Sequence, residues 1–168
     1  LIDITKDAQF GELDFKYEKC NHIRSYIPKP RIKEDQIKAA AEAINGAKKP
    51  LVLLGQGVIL GNAEKEFKAC IEKSGIPVGW YSLGVSAFPT DHPQNMGMLG
   101  MHGNYSTNIL TNECDTLIAI GMRFDDRVTG DLSRYAKQAK VIHLEIDPAE
   151  INKIVNADFP VLGDVKAT

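Results

Sequence analysis

Short apolar runs recur along this chain with helical patterns between them, and that alternation constrains the fold most. PLVLL (50–54) is a continuous apolar run, so it reads as a strand buried on both faces. IPVGW (76–80), DTLIAIG (115–121) and KVIHLEI (140–146) read as further strands, and FPVLGD (159–164) as a short fifth. Between them, EDQIKAAAEAING (34–46) places Ile37, Ala40, Ala41 and Ile44 on one helical face and stops at Gly46. NAEKEFKACIEKSG (62–75) turns Phe67, Cys70 and Ile71 inward and closes at Gly75. NYSTNILTNE (104–113), GDLSRYAKQA (130–139) and DPAEINKIV (147–155), with Pro148 at its first position, read as three more helices. Residues 81–103 carry no clear period. Strands alternating with helices predict an α/β domain: a doubly wound parallel sheet of about five to six strands, helices on both faces, joined by right-handed crossovers.

Composition enters as exclusion. A chain of 168 residues suits one domain, and a net charge of −2 offers no basic surface for nucleic acid. No run approaches the ~18 apolar residues of a membrane span, and no signal peptide is visible. Cys20, Cys70 and Cys114 are scattered, without a C-x-x-C pair, which predicts reduced thiols and a cytoplasmic location. LIDIT (1–5) reads as a short buried strand that leads straight into an aperiodic stretch. A strand without its sheet points to a piece of a larger protein, with residues 6–33 a linker kept extended by Pro28 and Pro30. An edge strand of this domain's own sheet is the alternative.

In an open parallel sheet, ligands bind outside the carboxyl ends of the strands. Gly55, Gln56 and Gly57 follow the first strand, and glycines there let backbone N–H groups approach a phosphate or ribose. A plain turn is the other reading, because the third glycine of a dinucleotide fingerprint is missing. GMRFDDRVTG (121–130) follows the third strand and crowds two arginines with two aspartates. Guanidinium forks suit phosphate or carboxylate, although a surface salt-bridge cluster would look the same. Glu145 and Asp147 follow the fourth strand and could accept from ribose hydroxyls, while Asp147 could instead cap the next helix. The loop MLGMHGNYSTN (98–108) sets Met101 and His102 between glycines, beside a predicted helix start. His22, His92, His102 and His143 share no ligand spacing, so no metal site is expected.

GMLGMHGNYSTN, IGMRFDDRVTG and HLEIDPAEINK, in this order, closely resemble the middle domain of the acetohydroxyacid synthase (acetolactate synthase) family. LIDITKDAQ resembles the last strand of that family's pyrimidine-binding domain. The resemblance implies that residues 1–33 end that preceding domain and that residues 34–168 form a Rossmann-like, DHS-like NAD/FAD-binding middle domain. Family members use thiamine diphosphate and Mg to decarboxylate pyruvate and condense it with a second 2-keto acid, in branched-chain amino-acid synthesis. The middle domain holds FAD, which has no net redox role; the thiamine diphosphate machinery lies in the other domains. By resemblance, Gly55, Gln56 and Gly57 lie along the FAD phosphate and ribitol region. Leu99, Gly100, Met101, His102, Gly103, Gly121, Met122 and Arg123 line the FAD, and Glu145, Ile146 and Asp164 hold its adenosine end. Met101 and Arg127 match positions that reach the active site. A homo-oligomer of catalytic subunits and a regulatory subunit are implied as partners, with no nucleic acid or membrane. The sequence departs from the family pattern at Gln56 and at WYSL (80–83). Another thiamine diphosphate carboligase or decarboxylase, or a non-catalytic nucleotide-binding module, are the alternative readings.

Overall fold

In the structure, a computed structural model that describes residues 2–21, 23 and 26–168, six strands form one sheet among the described residues. They are β1 (Pro50–Leu54), β2 (Val78–Trp80), β3 (Asn95–Met98), β4 (Thr116–Ile120), β5 (Lys140–Glu145) and β6 (Phe159–Leu162). The helices are α1 (Lys6–Gln9), α2 (Glu34–Gly46), α3 (Gly57–Leu60), α4 (Glu64–Ser74), α5 (Tyr105–Glu113) and α6 (Asp126–Thr129), with a 3-10 helix over Ser82–Ala87. The strand order is β3-β2-β1-β4-β5-β6, and every neighbouring pair is parallel. The chain winds outward from β1 to one edge, then returns to β4 on the other side of β1. That reversal opens a crevice at the carboxyl ends of β1 and β4.

β1 is buried on both faces, as an unbroken apolar run requires. Val52 and Leu54 face one core with Ala40 of α2 and Phe67 and Ile71 of α4. Leu51 and Leu53 face the other with Leu110 of α5 and Val128 of α6. Each fully buried aliphatic side chain contributes about 1.5–3 kcal/mol through removal from water. α4 stops where Gly75 takes a left-handed φ of 69°, a conformation that glycine adopts without steric penalty. No helix among the described residues is long and apolar enough to cross a membrane.

Several local expectations are corrected. Residues 2–5 form no strand and are exposed, since no described strand pairs with them; Leu1 and His22 lie outside the described residues. Residues 131–139 form turns rather than a helix. Asp131 Oδ1 accepts from the Ser133 amide and hydroxyl, a local bond that competes with helix, and Ala136 has a φ of 45°. Residues 147–155 also stay as turns: Asn152 has a φ of 60°, and its Oδ1 accepts from the Ala157 amide. β3 arises inside the stretch that lacked a period. Ala41 and Cys70 are exposed, and Ala43 packs on the core instead of Ala41.

Cys114 is buried at the end of α5, and burial pushes its thiol up to about 11 from 9.0. A folded-state pKa raised above the unfolded one gives stability that is present below pH 9.0 and lost as pH rises toward 11. That interval corresponds to roughly 3 kcal/mol. Melting temperatures measured from pH 8 to 11 should therefore fall more steeply for the wild type than for Cys114→Ala. Parallel curves would show that the thiol does not set this dependence.

Candidate functional site

The turn after β1 and the turn after β4 are pressed together. Gly57 N–H donates to Gly121 O at 2.8 Å, and Gly55 N–H to Ile120 O at 3.0 Å. A Cβ on Gly57 would stand 2.5 Å from Gly121 Cα, and one on Gly55 2.3 Å from Gly121 O. These glycines therefore serve backbone-to-backbone approach, and two of the three N–H groups expected to face a ligand are already used inside the fold.

Above this junction lies a cleft of about 590 Å³, a volume in the range of small-molecule and cofactor sites. Gly55, Gln56, Gly57, Gly121, Met122, Arg123, Glu145 and Ile146 line it together, as do Tyr81 and Leu83. Four separated sequence segments thus converge at the carboxyl ends of β1, β2, β4 and β5. Glu145 is 9% exposed; its Oε1 accepts from the amides of Ile146 and Asp147 at 2.8 and 3.1 Å. Its Oε2 has the His143 ring nitrogen 4.0 Å away. Asp147 lines the same cleft, and its Oδ1 accepts from Ala149 N–H within a turn; no helix follows Pro148 for it to cap.

The remaining predicted residues separate into other places. Gly100, Met101 and Arg127 line a second cleft of about 300 Å³ with Asn108, Thr111 and Tyr135. Met101 N–H donates to Arg127 O at 2.8 Å, and Arg127 Nη1 lies 3.6 Å from Met101 Sδ. Leu99 is buried in the core at 1% exposure and lines neither cleft, because its side chain packs under the loop instead of projecting from it. Gly103 closes a turn through its N–H on Gly100 O, and His102 is exposed on that turn, outside both clefts. Asp164 also lies outside both: its Oδ1 accepts from Lys166 N–H, and its carbonyl from the amide of Thr168. Among the described residues, no group of three or more His, Cys, Asp or Glu is placed to hold a metal ion.

Two site residues, Tyr81 and Asn108, escaped sequence reasoning. Tyr81 lines the larger cleft, and its hydroxyl donates to Asp125 Oδ2 at 3.2 Å. Burial, then the Asp125 carboxylate, raises the phenol's pKa and keeps it a donor. Asp125 Oδ1 in turn accepts from the amides of Arg127 and Val128, capping α6. Asn108 clamps Gly100 from both sides: Nδ2 donates to the carbonyl and Oδ1 accepts from the amide, each at 2.9 Å. The signals were an aromatic-polar pair straight after a strand and an asparagine one turn into a helix.

Fold and cleft together define a Rossmann-like domain with a cleft at its switch point. Residues 37–168 match the central domain of thiamine pyrophosphate enzymes, and the chain belongs to that family. The chain is 47% identical over 168 residues to the "Probable acetolactate synthase large subunit" of Methanocaldococcus jannaschii, covering 98% of this chain and 28% of that protein. It is 44% identical to an acetolactate synthase of Mycobacterium bovis, with 99% and 27% covered. It is 38% identical to the acetolactate synthase isozyme 3 large subunit of Escherichia coli, with 99% and 29% covered. The chain therefore spans under three-tenths of the length of these relatives. A solved structure assigned as a thiamin diphosphate-dependent enzyme from Mycobacterium smegmatis superposes with a TM-score of 0.69 at 25% identity, over 86% of this chain and 28% of that one.

Proposed function

We propose that this chain is the FAD-holding central domain of an acetolactate synthase large subunit. The observation that carries the reading is the convergence of residues 55–57, 121–123 and 145–147 on one strand-end cleft, in a chain 38–47% identical to such subunits. The residues present fit a flavin nucleotide. At the glycine junction two turns meet backbone to backbone beside the cleft, and the buried Glu145 offers Oε2 as an acceptor for a ribose hydroxyl. Arg123 Nε lies 3.7 Å from Asp125 and keeps further donors for phosphate. Gly55, Gln56, Gly57, Gly121, Met122 and Arg123 would hold the phosphate and ribitol region, and Glu145 with Ile146 the adenosine end. FAD would lend this domain its bound shape rather than a net redox step.

Thiamine diphosphate with Mg, bound by other domains, would supply the carbanion chemistry by which pyruvate is decarboxylated and joined to a second 2-keto acid. Met101 and Arg127 would border that reaction, with the guanidinium placed to attract a keto-acid carboxylate. Residues 34–168 would be the domain proper and residues 1–33 its connection to a preceding one. The working form would be a cytoplasmic homo-oligomer, with room for a regulatory subunit.

The whole subunit carrying these residues, given pyruvate, thiamine diphosphate, Mg and FAD, should form acetolactate and retain flavin absorption. A subunit that holds no flavin and forms no acetolactate would overturn the reading. The 168 residues alone should form none, and should bind FAD weakly or not at all, since a cleft open on one side leaves cofactor in water and ordering uncompensated. Product from the isolated chain, or flavin that survives dialysis at one equivalent, would contradict these two expectations.

A further inference from the structure

His143 has no part in the function proposed above, yet it occupies a position where a histidine is costly. It sits on β5, in register with Ala119 of β4 and Pro160 of β6, and is 0% exposed. On that face it meets the Phe124 ring at 5.1 Å and, 4.0 Å from Nε2, the Glu145 carboxylate. Nε2 lies 2.8 Å from Met122 O, an acceptor only, so the proton on that nitrogen donates to the carbonyl. Burial lowers the ring's pKa and favours the neutral form. Nδ1 is then a buried acceptor without a partner. A residue kept for packing alone would not carry that orphan, because a leucine or phenylalanine fills the same space without one.

What the ring achieves is local. Met122 is 4% exposed, and a backbone carbonyl in a buried residue calls for a donor, which the His143 ring supplies. Gly121 N–H already donates to Leu144 O at 3.0 Å. With His143 on the Met122 carbonyl, the turn is fastened to β5 through two consecutive residues, Gly121 and Met122. Glu145, two residues along the same strand, lines the cleft together with that turn.

We propose that His143 is a positioning residue for this cleft: its Nε2–H holds the Met122 carbonyl and so sets residues 121–123 against Glu145 in the shape that accepts the flavin nucleotide. The inference rests on the reading of the cleft as an FAD site. Two variants test it. His143→Gln places an amide donor where the ring Nε2 stood; His143→Asn is similarly polar but too short to reach.

FAD affinity of the whole subunit is read by quenching of flavin fluorescence. Exchange of the Gly121 amide is read in the 168-residue chain, with melting temperature alongside. His143→Asn should weaken FAD binding by roughly threefold to tenfold, the range for one lost hydrogen bond, and speed Gly121 exchange by a similar factor. His143→Gln should restore both to near wild type. Variants that match the wild type in both readouts would overturn the proposal. So would equal losses in both variants that merely follow melting temperature. A wild-type subunit that binds no FAD would instead count against the cleft's assignment, and Gly121 exchange would still decide whether His143 holds the turn.

Discussion

Gly57→Val should lower the melting temperature of this chain by roughly 3–18 °C. The position faces backbone, and backbone cannot step aside as a flexible side chain can. A Cβ there would lie 2.5 Å from Gly121 Cα and 2.8 Å from Gly121 O. Overpacking of this kind costs about 1–3 kcal/mol, and loss of the Gly57–Gly121 hydrogen bond adds about 0.5–1.5. For a chain of this size each kcal/mol corresponds to about 2–4 °C. The comparison is Gly46→Ala, where a Cβ meets nothing within 4 Å. That change should be neutral or stabilising by about 0.4–1 kcal/mol, since it mainly restricts the unfolded chain. Calorimetry on both variants checks the pair. Similar melting temperatures for the two would show that the turns at 55–57 and 121–122 can separate without loss.

Arg127→Ala should act in the opposite way, sparing the fold and impairing the reaction. In the whole subunit it should reduce kcat/KM roughly tenfold to a hundredfold, the effect of losing one charge-assisted contact of about 1.5–3 kcal/mol. The competing role is a structural ion pair with Asp125 or Asp126. The geometry speaks against it, because the ion pair of Asp125 is with Arg123 at 3.7 Å. The Arg127 side chain is exposed beside Met101 Sδ, while its backbone does the anchoring through the Met101 amide. Stability of the 168-residue chain should therefore change by less than about 0.5 kcal/mol. A destabilised chain with normal turnover in the whole subunit would defeat the active-site assignment.

Much of this was legible before any coordinates. The unbroken run at 50–54 could only be a strand covered on both faces, and α2 and α4 declared themselves by period and by terminal glycines. Glycine-bounded segments after strands marked the cleft, because a parallel sheet sends every such segment to the same edge. Less was legible where the outcome depends on a neighbour. β3 has only four residues and a glycine with a φ of 93°; its strand character comes from pairing with β2. Residues 131–139 had a helical pattern, yet the Asp131 side chain captured the first turn.

The sequence by itself determined the α/β class, the buried faces of the strands and the edge at which ligand chemistry collects, because these follow from periodicity and from the handedness of crossovers. Only the tertiary structure decided which of those edge residues share a cleft. Met101 and Arg127 went to one, residues 55–57 with Glu145 to another, and Leu99 and Asp164 to neither. It also turned the glycines from presumed ligand donors into the contact that joins two turns. The physical reason is that a side chain's direction, and the partner of a backbone N–H, depend on what the fold brings against them from tens of residues away, which no local pattern encodes.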